Sequence, residues 1–340
     1  MRTPDFESNL LRALHGEKPE RATMFELFLY PELYEKLAGH GCEPGDPLSY
    51  KKMVVDAMAT GGYDYAPFML PGFAFPTLAR ERASTHSLNG QAIITDWESF
   101  ENYIWPDVND FDLSILDELE AYMPAGMKLC LRGPCGVLEN TIAILGYDNL
   151  CYLLYDDPEL VQAVTDKVGS TLLKYYQSMA SHPAIGFLCS NDDWGFNTQT
   201  FLSTDAMRQY IFPWHKKIVE TAHAAGKPCM LHSCGEFRAV IDDIVEDIGF
   251  DARHSYEDNI WPVEEAYEAL HGRIAVMGGI DMNLMTIGTP EAIYNRARAM
   301  LERTAERGGY TLGTGNSIAP YIPVENYMAL RQAALDTDSV

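Results

Sequence analysis

The chain has 340 residues, 47% of them hydrophobic and 22% charged, the composition of a folded globular protein with a full core. Forty-nine acidic residues against 25 basic ones give a formal charge of −24, which repels phosphate backbones and anionic headgroups and sets nucleic acid and membrane surfaces aside as partners. At this length one large α/β barrel is as acceptable as two domains.

The opening residues, MRTPDFESNLLRALHG, carry no apolar stretch of the signal-peptide kind, and no apolar run reaches the roughly 18 residues of a membrane span. The seven cysteines are odd in number, widely spread and mostly set in apolar runs, the usage of a reducing compartment. A cytoplasmic protein is expected.

Short apolar runs then alternate with amphipathic stretches to the end of the chain, the signature of βα units around a parallel sheet. Predicted strands fall at Thr23–Leu29, Tyr63–Met69 and Lys128–Leu131. A helix is predicted over Glu159–Ser181, a strand at Ile185–Ser190, a helix over Thr204–Ala225, a strand at Pro228–His232 and a helix over Glu236–Gly249. Strands at Asp251–Ser255, Ile274–Gly278 and Tyr310–Gly313 alternate with helices at Pro262–Leu270 and Pro290–Gly308. Eight strands with intervening helices predict a (β/α)₈ TIM barrel, one domain over 1–340, with the N-terminal helices and Pro71–Asp112 as decoration.

Chemistry in such barrels sits at the C-terminal ends of the strands, and here those ends are polar. They carry Glu26, Arg132, Cys135, Asn191-Asp192-Asp193-Trp194, His232, Cys234, His254, Glu257, Asp258, Asp281, Asn283 and Asn316. In KPCMLHSCGEF, His232 and Cys234 stand two residues apart at a strand end, so both side chains face one way and can reach one ion. An imidazole with a thiolate suits Zn²⁺. A buried His beside a small hydrophobic Cys is the plainer alternative.

Asp192 and Asp193 are candidates to complete a metal shell or to act as an acid/base pair, against the reading that one caps a helix and the other is solvated. Glu257 lies in a loop that can reach the same ion, whereas His254 reads as a supporting or surface residue. The glycines of Gly313-Thr314-Gly315-Asn316 let backbone approach a ligand.

Taken together, ALHGEKPERATMFE, DDWGF, HSCG and a last strand running into NSIAPYIPVENY resemble the uroporphyrinogen decarboxylase superfamily over nearly the whole chain. That superfamily holds a cofactor-free decarboxylase and zinc methyltransferases of the methylcobamide:coenzyme M type. The decarboxylases bind an eight-carboxylate substrate with an N-terminal arginine-rich loop and a key Asp after the second strand. Here Glu26–Pro31 has no arginine and Pro67–Pro71 no carboxylate.

The methyltransferase branch is similar at His232 and Cys234, which match its zinc ligands, and departs at the third, where a Cys is replaced by Asn316. The resemblance therefore implies that Asp192, Asp193 or Glu257 completes the shell, or that the metal is lost. It further implies a corrinoid (cobamide) as methyl carrier, on a corrinoid protein or free, a small thiol or similar acceptor, and Phe68, Trp194 and Trp261 as residues lining the corrin. The alternatives are a uroporphyrinogen decarboxylase and a catalytically altered homologue that binds a corrinoid or tetrapyrrole.

Overall fold

Residues 2–77 and 92–339 are described in a computed structural model. Seven parallel strands form one sheet in sequence order: β1 (Tyr65–Phe68), β2 (Lys128–Arg132), β3 (Ile185–Asn191), β4 (Cys229–His232), β5 (Ala252–His254), β6 (Ala275–Met277) and β7 (Tyr310–Thr311). Their residues are nearly all buried, as expected of strands covered on both faces. Part of the predicted decoration, 78–91, lies outside the described residues.

The predicted first strand, Thr23–Leu29, is a correction. It runs parallel to the end of β7 but is joined by single bridges, Met24 to Leu312 and Leu29 to Ile318. Between them the ladder is interrupted, because the Thr314 N–H donates to the Glu26 carboxyl (3.0 Å) rather than to a backbone carbonyl. On its other side the segment meets β1 through side chains: the Glu26 N–H donates to the Tyr65 hydroxyl (2.9 Å), and the Phe25 and Tyr65 rings stack at 5.5 Å. The segment thus fills the eighth position of the barrel without becoming a regular strand. Gly313 permits this, since a Cβ there would collide with the Phe25 carbonyl oxygen.

Helices Pro158–Met179, Val263–Leu270 and Pro290–Thr304 fall where the apolar spacing predicts them. The helix expected over Thr204–Ala225 is interrupted by a wider turn at Met207–Ile211, just before Pro213, whose missing N–H cannot continue the i to i−4 ladder. The helix expected over Glu236–Gly249 is instead a short tight turn at Arg238–Val240 and a wide turn at Asp243–Ile248, ended by Gly249 at φ 82°.

Candidate metal centre

Parallel pairing of β3 with β4 sets Asn191 opposite His232. Side chains alternate along a strand, so Asp193 and Cys234, each two residues further on, fall on the same face as that pair. His232 Nε2 lies 3.9 Å from Cys234 Sγ and 3.9 Å from Asp193 Oδ1. The same Asp193 oxygen accepts the Cys234 N–H at 2.8 Å, tying the loops after β3 and β4 together. All three donor atoms lie within 4.8 Å of one another. Donors around a tetrahedral zinc stand about 3.5 Å apart, so the set needs only a small contraction to hold one, with one position left open.

The protonation of His232 follows from its partners. Burial, with the Arg253 and Arg132 charges adding to it, pushes its pKa down to about 3, and burial beside His232 holds His254 well below the usual histidine range. Both rings are therefore neutral near pH 7. His254 Nε2 faces the Thr314 carbonyl oxygen at 2.9 Å and must donate to it, which leaves a lone pair on His254 Nδ1. That nitrogen is 2.7 Å from His232 Nδ1, so His232 carries its proton there. The free lone pair of His232 consequently sits on Nε2, aimed at Cys234 and Asp193, which is what a metal ligand requires.

The thiol of Cys234 is pushed well above the usual cysteine range, first by burial and then by the Asp193 charge. Two donors address its sulfur: the Asn316 amide at 3.3 Å and the Ser255 hydroxyl at 3.8 Å. Asn316 therefore does not supply a third ligand but donates to the second. Arg253, fully buried with its pKa lowered to about 10 by burial, clamps the carbonyls of Ser233 (3.0 Å) and Ser255 on either side of this cluster.

The two adjacent carboxylates are separated by strand parity. Asp192 is fully buried away from the cluster, where its Oδ2 accepts the Leu138 N–H (2.9 Å), its Oδ1 the Glu139 N–H (2.9 Å), and Oδ2 also faces His215 Nε2 (2.9 Å) and the Trp194 indole N–H (3.1 Å). Through the Leu138 and Glu139 N–H groups it caps the first turn of the helix Val137–Leu145, and it stands outside the three-donor group that the sequence offered it to complete. Glu257 Oε1 accepts the Gly235 N–H at 3.4 Å and stands outside the three-donor group. Trp194 is 0% exposed, packed on Phe212 and His215, and cannot line a ligand cavity; Phe68 is 1% exposed, and Trp261 packs against Phe237.

Sequence reasoning missed Arg253 and the lone-pair arrangement through His254 and Thr314. The signal for Arg253 was an arginine between two inward-facing positions of an apolar strand. A second triplet, Asp117, Glu120 and His182, lies near the surface. There His182 Nδ1 accepts the Ala184 N–H (3.2 Å), so in the neutral ring Nε2 carries the proton that goes to Asp117 (3.1 Å) and offers no lone pair.

The fold is that of the α/β barrels, with this polar cluster at the C-terminal ends of β3 and β4, where such barrels carry their sites. The model of the family "Uroporphyrinogen decarboxylase (URO-D)" matches residues 132–336, more than half of the chain. The chain belongs to that family. It is 25% identical over 247 residues to the methylated-thiol–coenzyme M methyltransferase of Methanosarcina mazei, covering 70% of this chain and 62% of the relative. It is 24% identical over 188 residues to the uroporphyrinogen decarboxylase of Anaeromyxobacter dehalogenans, covering 55% of this chain and 51% of that protein. The chain thus spans between half and two thirds of the length of these curated relatives. A solved methyltransferase from Methanosarcina mazei superposes with a TM-score of 0.73 at 17% identity, over 98% of this chain and 99% of its own, and shares the fold. Among the described residues no helix is long and apolar enough to cross a membrane.

Proposed function

We propose that this chain is a zinc-dependent methyltransferase of the cytoplasm that moves a methyl group between a cobamide, free or on a corrinoid protein, and a small thiol. The observation that carries the reading is the three-donor cluster of His232, Cys234 and Asp193, with the His232 lone pair turned into it. The methyltransferase of Methanosarcina mazei supports the same class.

His232 Nε2, Cys234 Sγ and an Asp193 oxygen would hold the ion. Zinc, when bound, supplies the Lewis acidity that lowers the pKa of a substrate thiol at an open position. The residues prepare that chemistry. His254 and Thr314 keep the His232 proton on Nδ1, and Asn316 and Ser255 donate to the Cys234 sulfur and favour its thiolate. Because the Cys234 thiol is raised by burial, loading the ion expels its proton, and affinity rises with pH.

The competing family reaction, decarboxylation of an octacarboxylate, would need many cations to offset desolvation and repulsion. Glu26–Pro31 supplies none. The test is elemental analysis of anaerobically purified protein together with demethylation of methylcobalamin by a small thiol. About one zinc per chain and thiol-dependent demethylation, both lost in Cys234→Ala, are expected. Stoichiometric zinc retained by that variant, or conversion of uroporphyrinogen to coproporphyrinogen, would overturn the reading.

A further inference from the structure

Arg253 is 0% exposed, and among the described residues its guanidinium meets no carboxylate. Arginine is almost never buried so fully without an acid as partner. Its two Nη groups donate to the carbonyls of Ser255 and Ser233, and Nε is left without a hydrogen bond. The Phe237 ring lies 3.2 Å from the guanidinium carbon and the Tyr256 ring 5.1 Å, closing it off from water. Burial lowers its pKa only to about 10, so it is charged at pH 7.

Strand parity keeps this charge out of the donor cluster. Arg253 pairs with Leu231 in β4 and His254 with His232, so the Arg253 side chain leaves β5 on the face opposite to the two histidines. It reaches the cluster through one peptide group instead. The Ser233 carbonyl, 3.0 Å from Nη2, belongs to the peptide bond of Cys234, and the N–H of that same bond donates to Asp193 Oδ1 at 2.8 Å. A cation at the oxygen end of a peptide polarises its N–H, so Arg253 strengthens the hold on the Asp193 carboxylate. Its charge is also felt at His232.

The balance of charge then shows what the loaded site is short of. A divalent ion held by the Cys234 thiolate and the Asp193 carboxylate is neutral as a unit, with His232 neutral beside it. Of the other charges nearby, Glu257 acts on Cys234 and Arg253 while Arg132 acts on His232, and these two oppose each other. Arg253 leaves the centre with a positive charge in excess, where an uncompensated charge is costly. An anion at the open position cancels that excess; a neutral ligand does not.

We propose that Arg253 is a specificity-determining residue of the metal centre, a fixed counter-charge behind Cys234 and Asp193 that makes the open position favour an anionic ligand over a neutral one. That the anion is a thiolate rests on the methyltransferase reading; the charge preference rests on the donor set and on Arg253.

Cobalt(II) replaces zinc as a visible probe, and the loaded protein is titrated near pH 8 with azide, imidazole and 2-mercaptoethanol. Arg253→Gln is expected to weaken azide and the thiol by ~10-fold or more while changing imidazole by less than about twofold. Arg253→Lys keeps the charge without the planar fork and is expected to recover most of the loss. A residue that merely clamped two carbonyls would move all three ligands together and fail alike in both variants, and either pattern overturns the proposal. The parent protein adds a measure that needs no variant. Thiol binding should release the thiol proton in full, counted by calorimetry in buffers of different ionisation enthalpy, and a retained proton overturns the proposal as well. Azide bound in an Arg253-dependent way, with no thiol reaching the metal, upholds the counter-charge and discards the methyltransferase reading. Azide and thiol bound as tightly by Arg253→Gln as by the parent do the reverse, and failure of the parent to take up cobalt removes both.

Discussion

At the N-terminal face of the barrel a cavity of about 1090 Å³ opens between the first residues of the chain and the helix Pro290–Thr304. Its cations are matched: Arg21 by Asp64, Lys18 by Glu306, Arg298 by Glu302. The C-terminal face holds a lone pair directed at a thiol and a carboxylate 3.9 Å away. The cations of the hollow are thus each met by a carboxylate, while the polar cluster keeps a lone pair, a thiol and a carboxylate converging without a cation between them. Unsatisfied donors and acceptors, costly to keep in a fold, locate chemistry better than volume does.

The sharpest break of this comparison sets the adjacent carboxylates against each other. Asp192→Ala removes a buried acceptor of four hydrogen bonds and is expected to cost about 3–5 kcal/mol, read by urea unfolding, while the chains that remain folded keep their zinc. Asp193→Ala should leave the unfolding midpoint of the metal-free protein nearly in place and lose most of the zinc. Zinc loss in Asp192→Ala with retention in Asp193→Ala would reverse the assignment.

A smaller effect is expected one step behind the ligands. His254→Phe removes the acceptor that holds the His232 proton on Nδ1, and zinc affinity should fall about 10–100-fold by competition with a chelator. In ¹⁵N spectra of the metal-free protein the His232 ring should change its tautomer; an unchanged tautomer would show that His254 does not set it.

Glu26 sharpens the pH side of the comparison. Burial raises its pKa to about 8, so the folded state holds its proton more tightly than the unfolded chain does. The stability this gives is complete below the ordinary glutamate pKa of 4.5 and is lost as pH rises through about 8. Glu26→Gln should flatten the fall in unfolding free energy between pH 5 and pH 8, within the part not carried by Glu139, also raised to about 8 by burial and the Asp193 and Asp192 charges. An identical slope in the variant would remove Glu26 as its source. The smallest effect belongs to the N-terminal cavity, where Glu302→Gln should shift stability by no more than about 0.5 kcal/mol and leave zinc content untouched.

The sequence carried the framework and one half of the site. Apolar runs placed seven strands to within a few residues, and the HxC spacing paired His232 with Cys234, because both depend on local periodicity alone. The choice between Asp192 and Asp193 depends on register, Asn191 opposite His232, and register is a property of two segments that no single stretch encodes. Trp194 and Phe68 were read as lining residues because aromatic side chains at strand ends look alike until burial separates wall from interior.

The segment Thr23–Leu29 has a consequence for how the barrel breathes. Toward β7 it is stitched by main-chain bonds, Phe25 to Leu312, Leu312 to Thr23, Ile318 to Phe28 and Tyr30 to Ile318; toward β1 its named contacts are the Tyr65 hydroxyl and stacked rings. A barrel joined by ladders on six sides, by isolated bridges on the seventh and by side chains on the eighth has a seam. Amide protons of the segment should exchange with solvent faster than those of β2, β3 and β4.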